Sequence, residues 1–342
     1  FQSILTVKNN CSVSALLAGL YSKHDIALVN AYKGGDDAII NSTISSAALV
    51  PIPFFPINCL PNNDVEDWRC ISKPLVDDHS FVPMIKRFES FEQTVDYRVT
   101  RPMNNKVPAQ KYERYVNEFL QLVVPNEVAG TLYSLDDDSI IAALDKPAQK
   151  LCFMRVAETL DMPIRHLIEG FVKKETCLKP GRIVSSFNDF RFIVELSRFT
   201  LAFRDNVLHA DHCKHFFMPG KTPLQISGEV VDYCSRVGSP IEGDYSNFDG
   251  SVSEWLQRHV INACYLRGFA PKERTKLQPL LAMLIRCQAR SKRFGAKYDA
   301  GPGIKSGSPT TCDGNTLLNA FIMYASVRMF QPHATPEEAF KT

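Results

Sequence analysis

The sequence predicts a mixed α/β fold that is large enough to bury a substantial core. The chain has 342 residues, of which 45% are hydrophobic and 22% are charged, a composition typical of folded globular proteins. Apolar residues recur at helical spacing in Tyr112–Leu122, and further helices are predicted at Pro147–Leu160 and around Ile193–Phe203. The later part alternates short strand-like and helical segments, which is the pattern of an α/β (α+β) domain.

Charge and cysteine content narrow the class of protein. The formal net charge is +2, so any binding of nucleic acid must use a local basic surface and not a uniformly basic one. The 10 cysteines are scattered without a C-x-x-C pair, and no amino-terminal stretch resembles a signal peptide. No apolar run approaches the roughly 18 residues that span a bilayer. These features predict an intracellular protein with reduced thiols.

The distribution of proline suggests a division into three segments. Prolines crowd the stretch Pro51–Pro61, where regular structure is disfavoured. We therefore expect a first segment at 1–60, a connector at 61–110 and a larger domain at 111–342. Both ends are expected to be cut points, because the first residue is Phe1 and Thr335–Glu338 predicts the start of a helix.

Two aspartates five residues apart, Asp244 and Asp249, form the first candidate site. Gly238–Gly243 is typical of a short strand, and Ser251–Glu254 fits a capping box for a helix that ends at Gly268. The aspartates would then flank a strand-to-helix turn and point into one space. Phosphoryl transfer needs a carboxylate for Mg²⁺ and often a second group that recognises the sugar. Taken alone, the pair is better explained as one helix-capping aspartate and one solvated aspartate.

A stricter pattern, S-G-x3-T-x3-N, occupies residues 306–315. It comprises Ser306, Gly307, Thr311 and Asn315 and precedes an apolar helical segment. A flexible loop that leads into a buried helix places Thr311 and Asn315 one turn apart on the same face. The alternative is a Gly/Ser loop with an ordinary helix cap.

Two basic segments are candidate sites for phosphate. Lys173, Lys179 and Arg182 are spaced along a Pro/Gly-interrupted stretch, which suits a triphosphate because its oxygens accept several charge-assisted hydrogen bonds; a solvated basic loop is the alternative. A second run is a candidate for contact with a nucleic-acid backbone or, equally, a solvated helix face. It comprises Arg286, Arg290, Lys292, Arg293 and Lys297.

The three motif-bearing segments resemble motifs F, A and B of viral RNA-directed RNA polymerases, in that order. The residues of Lys305–Thr311, Lys292–Gly295 and Val82–Arg87 are similar to those of nodavirus replicases in particular. This resemblance extends from about residue 80 to the end of the sequence. The resemblance implies a right-hand polymerase with α-helical fingers and part of a ferredoxin-like palm. It implies template-directed nucleotidyl transfer by a two-metal mechanism, with Mg²⁺ as cofactor and Mn²⁺ able to substitute.

The same resemblance implies a role for each candidate residue. Asp244 would bind the catalytic metal ions, and Asp249 would act with Asn315 on the ribose 2′-hydroxyl, supported by Thr311. Ser306 and Gly307 would form a loop that senses the template and closure of the site. Lys173, Lys179 and Arg182 would hold the incoming ribonucleoside triphosphate, with Glu175 as their ion-pair partner. RNA template and product strand are the implied macromolecular partners.

Further expectations follow for the surroundings of the chain. The resemblance implies self-association in a membrane-bound replication complex in the host cytoplasm, at the mitochondrial outer membrane. Membrane contact would run through regions outside this chain, and residues 1–60 would be the tail of a capping and membrane-binding region. Motif C, a Gly-Asp-Asp hairpin, should follow motif B, but the chain ends first, so we expect the chain alone to be inactive.

Two clusters of possible metal ligands are explained without a metal site, and two other functions are compared with RNA polymerisation. Gly35–Asp37 is interpreted as a turn. His209–His215 is interpreted as a polar surface or channel wall, because zinc sites usually draw ligands from two separated segments. A reverse transcriptase is disfavoured, since it would carry an aromatic residue at Asp249 and lack Asn315. A non-catalytic scaffold or RNA-binding part of the replication complex remains the alternative.

Overall fold

The structure of the chain, a computed structural model, describes residues 82–341 except 145, 165, 178–180, 188, 238–242 and 286. The Gly35–Asp37 turn, Lys179, Arg286 and the segment 1–60 therefore lie outside the described residues, and so does most of the strand predicted at Gly238–Gly243. The three-segment division stays a prediction.

The described part is predominantly helical, with one small sheet. Its α-helices are α1 Phe88–Val95, α2 Lys111–Val123, α3 Asp137–Ala143, α4 Pro147–Val156, α5 Phe190–Phe203 and α6 Pro223–Val237. These are followed by α7 Phe248–Ser251, α8 Glu254–Leu256, α9 Asn262–Gly268, α10 Pro271–Ile285, α11 Thr311–Phe330 and α12 Pro336–Lys341. Single π-helical turns extend α1 over Asp96–Thr100 and α5 over Arg204–Leu208, and a third joins α8 to α9 over Gln257–Ile261.

Capping side chains mark the starts of four helices, α3, α5, α8 and α12. The hydroxyl of Thr335 accepts from the amide of Glu338, whose carboxylate accepts from the amide of Thr335 in return, so α12 starts as predicted. The capping box predicted at Ser251 is wrong. Ser253 accepts from the amide of Leu256 instead, because residues up to Ser251 belong to the preceding short helix. The helical stretch still ends at Gly268, as expected.

The sheet brings distant segments of the sequence together. It has the order β2-β1-β3-β4, with β1 at Ile168–Val172, β2 at Ile183–Phe187, β3 at Gln288–Ser291 and β4 at Ala296–Asp299. β1 pairs with β2 antiparallel and with β3 parallel, and β3 pairs with β4 antiparallel. The mixed helix-and-sheet composition confirms the predicted α/β class.

A core of aromatic side chains fixes the helix that begins at Thr311. Phe119 of α2 is fully buried, and its ring lies 5.5 Å from that of Phe321 of α11; the rings of Phe203 and Tyr265 in the same core lie 4.5 Å apart. Truncating one such ring to alanine costs about 3–5 kcal/mol. The start of α11 is therefore held in one position relative to the rest of the domain.

The region predicted as a connector contributes structure to the domain. Residues 88–100 are helical, and Phe91 of α1 is 3% exposed, with its ring 5.9 Å from that of Tyr298 on β4. A helix with apolar residues at Phe88, Phe91 and Val95 explains this packing. Within the described ranges, no helix combines the length and apolarity that crossing a bilayer requires.

Candidate active site

A cavity of about 690 Å³ lies where five segments of the chain meet. The β1–β2 region contributes one wall and the turn that carries Asp249 contributes the opposite one. The segment 98–103, the loop at 300–306 and the start of α11 complete the lining. A cavity of this volume is in the usual range for small-molecule sites. The segments that resemble motifs F, A and B thus converge on one space.

The basic wall consists of two cations that share one carboxylate. Lys173 Nζ lies 2.7 Å from Glu175 Oε2, and Arg182 Nε lies 2.7 Å from Glu175 Oε1. The hydrogen bond from Lys173, together with the nearby charge of Arg182, lowers the pKa of Glu175. Glu175 therefore holds both cations at the cavity edge and leaves the cluster with a surplus positive charge, which suits an anionic ligand.

The opposite wall carries an aspartate–asparagine pair. Asn315 Nδ2 donates to Asp249 Oδ1 at 2.8 Å, and the backbone carbonyl of Asp249 accepts from the amide of Ile304 at 2.8 Å. Asn315 Oδ1 is buried, and the described residues give it no hydrogen-bond partner. Buried acceptors are almost always satisfied in folded proteins. Such an unsatisfied acceptor on a residue that lines the cavity suits a ligand hydroxyl group, which reaches it after a small shift of the side chains that cover it.

Side chains around the start of α11 hold Asn315 in place. The hydroxyl of Thr311 lies 2.7 Å from the carbonyl oxygen of Lys305 and 2.9 Å from that of Ser308. Asp313, which is fully buried, accepts from Arg204 at 3.0 Å and from the hydroxyl of Tyr265 at 3.1 Å. Burial raises the pKa of Asp313 despite the neighbouring guanidinium. Thr311 thus fastens the loop and Asp313 the helix.

The Ser-Gly loop rests on strand β2. Ser306 Oγ donates to the carbonyl of Ile183 at 3.2 Å. A Cβ atom on Gly307 would lie well inside van der Waals contact with the carbonyl oxygen of Ser185. Only glycine permits the two backbones to approach so closely. The loop therefore connects the basic wall to the helix of the opposite wall.

Lys305 is a lining residue that the motifs did not single out. Its side chain is 4% exposed, and its ammonium group donates to the carbonyls of Gly301 and Gly303. Burial lowers the pKa of Lys305 to about 8. Lys305 directly precedes Ser306, so its place in the motif was visible in the sequence, whereas its burial depends on the fold of the loop at 300–304.

The two aspartates of motif A are not brought together as predicted. Asp249 lines the cavity, whereas Asp244 is exposed and is not a lining residue. Among the residues that the structure describes, no group of three or more His, Cys, Asp or Glu side chains could hold a metal ion. Mg²⁺ in phosphoryl-transfer sites needs one or two carboxylates together with water and substrate oxygens. The described donor set does not complete a two-metal site.

The later basic run lies on a hairpin and not on a helix face. Arg290 is on β3, Lys292 and Arg293 occupy the turn, and Lys297 is on β4. Lys292 Nζ lies 3.3 Å from Glu169 Oε2. The turn is anchored to α1, since the ring of Phe294 lies 5.4 Å from that of Phe91. These residues form a basic surface separate from the cavity lining.

The histidine cluster serves the packing of the chain. His212 Nε2 lies 2.9 Å from the carbonyl oxygen of Val123, and His215 Nε2 lies 2.6 Å from that of Phe340. Burial lowers the pKa of His215. Both rings thus connect separate helices through backbone carbonyls.

The fold and the cavity together define a mixed α/β protein with a site suited to a phosphorylated sugar. Comparison with known proteins makes this more specific. The chain is 46% identical over its whole length to the RNA-directed RNA polymerase of Nodamura virus, and 45% identical over 89% of its length to that of Macrobrachium rosenbergii nodavirus. It is 37% identical over 80% of its length to that of Flock house virus.

The chain belongs to the family of nodavirus RNA-directed RNA polymerases. It spans about a third of the length of these relatives, with 33%, 29% and 27% of the three covered. No family model matches the chain.

Proposed function

We propose that this chain forms the nucleotide-binding part of an RNA-directed RNA polymerase that replicates the genome of a positive-strand RNA virus. The observation that carries the proposal is a single cavity with Lys173 and Arg182 on one wall and the Asp249–Asn315 pair on the other. The relatives named above are RNA-directed RNA polymerases, which supports the same reaction class.

The two walls match the two ends of a ribonucleoside triphosphate. Cations held by Glu175 bind phosphate oxygens, because charge-assisted hydrogen bonds are short and strong. The open acceptor on Asn315 and the carboxylate of Asp249 suit the ribose 2′-hydroxyl, which both donates and accepts. Recognition of this hydroxyl is what separates ribonucleotides from deoxyribonucleotides. The cavity therefore fits the substrate of RNA synthesis better than that of DNA synthesis.

Metal chemistry rests on Asp244 alone among the candidates in this chain. Divalent ions, Mg²⁺ or Mn²⁺, would offset the charge that develops in nucleotidyl transfer. Asp244→Asn should abolish RNA synthesis by the complete polymerase that carries this sequence without lowering its melting temperature, because the side chain is exposed.

The remaining parts of the proposal concern architecture and setting. We propose that the helices form fingers and that the sheet belongs to a right-hand polymerase with a ferredoxin-like palm. We further propose that the polymerase binds RNA template and product and self-associates in a membrane-bound complex, at the mitochondrial outer membrane. Fractionation of infected cells tests the location. Absence of the polymerase from the mitochondrial fraction would contradict the proposed location.

Binding of a fluorescent ribonucleoside triphosphate to the chain tests the central proposal directly. Lys173→Ala should weaken binding about tenfold, since a hydrogen bond to a charged group contributes about 1.5 kcal/mol or more. Lys174→Ala is the matched control, because Lys174 is exposed and does not line the cavity. Equal affinities for wild type and both variants would contradict the proposed site. Binding of RNA without any binding of nucleotide would favour a scaffold.

A further inference from the structure

We refer to residues 97–104 as the strap. The strap crosses residues 247–251, the single helical turn of α7 with its cap Asn247, which carries Asp249. Arg98 Nη1 donates to Asn247 Oδ1 at 2.6 Å, and Asn247 Nδ2 donates to the carbonyl of Tyr97 at 3.2 Å. At the far end of the turn, Asn104 Nδ2 donates to the carbonyl of Ser251 at 3.0 Å. The strap thus contacts the turn through side chains at both of its ends.

The middle of the strap lies directly on the backbone of the turn. A Cβ atom on Gly250 would fall 2.7 Å from Pro102 Cγ and even closer to the carbonyl oxygen of Arg98. Such distances are too short for any side chain, so glycine permits the approach. Movement of the strap would therefore displace Gly250 and the adjacent Asp249.

Asn247 is the residue through which the strap acts. Its φ is 55°, and among the described residues other than glycine it alone has a positive φ. Asparagine tolerates this left-handed conformation because its short side chain forms local hydrogen bonds. Here both ends of the amide bond the strap, so the conformation of the turn and the position of the strap depend on each other.

Arg98 also reaches the opposite wall of the cavity. Its Nε donates to the carbonyl of Gly181 at 3.3 Å, and Gly181 is adjacent to Arg182. Arg98 and Asn247 both line the cavity. A guanidinium group is planar and presents several donors in fixed directions. One side chain therefore sets the separation between the wall suited to phosphates and the wall suited to ribose.

We infer that Arg98 and Asn247 are positioning residues that hold Asp249 at the right distance from the basic wall, and so determine affinity and sugar selectivity together. The inference rests on the proposed function, since it assigns the strap to that same site. If the hydrogen bonds of Arg98 and Asn247 merely stabilised the fold, their loss would lower the melting temperature without changing the preference for ribose.

The test measures KM, kcat and the ratio of ribonucleotide to deoxyribonucleotide incorporation by the complete polymerase. Arg98→Ala should raise KM and lower the selectivity ratio about tenfold, the usual effect of losing a hydrogen bond to a charged group. Asn247→Gly should do the same, because glycine keeps the left-handed backbone but removes both side-chain bonds. The two variants share the loss of the hydrogen bond between Arg98 and Asn247, so the double variant should lose less than the sum of the two single losses.

Two further variants keep the test decisive. Arg101→Ala is the control within the strap. Arg101 pairs with Asp96 at the surface, where the two side chains are 72% and 40% exposed, so selectivity should not change. Asn247→Asp keeps an acceptor for Arg98 and should retain most of the selectivity.

Unchanged KM and selectivity in Arg98→Ala and Asn247→Gly, with selectivity lost in Asn315→Ala, would overturn the role of the strap and leave the proposed function standing. Unchanged selectivity in all three variants would contradict the proposed function itself. Additive effects of Arg98→Ala and Asn247→Gly would show that the two residues act separately, which also overturns the inference.

Discussion

The unsatisfied acceptor Asn315 Oδ1 leads to a prediction about the selectivity for ribonucleotides. Asn315→Ala removes both this acceptor and the donor to Asp249. Losing a hydrogen bond to a buried hydroxyl costs about 1–3 kcal/mol, so the ratio of kcat/KM for ribonucleotides over deoxyribonucleotides should fall by about one to two decades. Steady-state incorporation by the complete polymerase measures this ratio.

Asn319→Ala is the matched control for that variant. Asn319 lies one turn further along α11 but is exposed and does not line the cavity. Its replacement should leave the selectivity ratio unchanged. If the ratio also stays unchanged in Asn315→Ala, Asn315 does not recognise the sugar.

At this scale the sequence predicted the motif-bearing residues that face the cavity but not those that position them. Asp249 and Asn315 were identified from fixed spacings, and they are hydrogen-bonded. Arg98 and Lys305 were assigned no role from the sequence. Arg98 donates to a partner far away in sequence, and Lys305 donates to backbone carbonyls that the fold of the loop brings near it. Asp244 does not join Asp249 in the cavity lining, and the strand expected to place it lies mostly outside the described residues.

Among the structural elements, the Ser-Gly loop depends on its glycine. In Gly307→Ala the new methyl group would collide with the backbone of Ser185 on β2. Relief of such an overlap requires a backbone shift that typically costs about 1–3 kcal/mol. We expect a lower melting temperature and a loss of nucleotide binding.

Gly228→Ala provides the control for this substitution. Gly228 lies within α6, and a Cβ atom there meets nothing within 4 Å. Alanine should stabilise the helix by about 0.5–1 kcal/mol. A Gly307→Ala protein that is as stable and as active as the wild type would contradict the close contact of the loop with β2.

The contact between α2 and α11 should respond to acid. Burial alone would raise the pKa of Glu118, but hydrogen bonds from Arg328, Tyr324 and Arg114 outweigh it and lower the pKa to about 2. Because the folded-state pKa lies below the unfolded value of 4.5, this stabilisation is complete above that value and disappears as pH falls toward about 2. It amounts to at most about 3 kcal/mol.

Melting temperatures recorded from about pH 7 down to about pH 3 test this linkage. Glu118→Gln should be less stable than the wild type at neutral pH, and the difference should shrink as the pH falls. Glu113→Gln, at an exposed position of the same helix, should follow the wild type throughout. A constant gap between Glu118→Gln and the wild type would refute the assigned ionisation.

Helices with a clear apolar period were the elements that the sequence predicted best. Tyr112–Leu122 corresponds to α2 at Lys111–Val123, within one residue at either end. Helix α1 was missed, because it is short and lies in a segment interpreted as a connector. The β3–β4 hairpin was missed because its charged residues suggested a helix face, and strand pairing depends on partners distant in sequence.

For the whole molecule, the basic hairpin predicts how RNA binding depends on salt. The affinity of the chain for single-stranded RNA should fall linearly on a double-logarithmic plot against salt concentration, with a slope of about −0.7 per phosphate contact. Arg293→Ala and Lys297→Ala should each make the slope shallower by about that amount. Lys272→Ala, at an exposed position of α10, should leave it unchanged. A slope unaffected by the hairpin variants would move the RNA-binding surface elsewhere.

The parallel pairing of β1 with β3 has a consequence for synthesis of the chain on the ribosome. β2 follows β1 closely, but β1 pairs with β3 only after a long intervening segment: the amide of Lys292, directly after β3, donates to Glu169 of β1, which lies 123 positions earlier. At about 5–20 residues per second, β1 remains without β3 for roughly 6 to 25 s after it is made. During this time one edge of the nascent hairpin is open to other strands. The speed of translation between these two strands therefore influences how much of the newly made protein escapes aggregation.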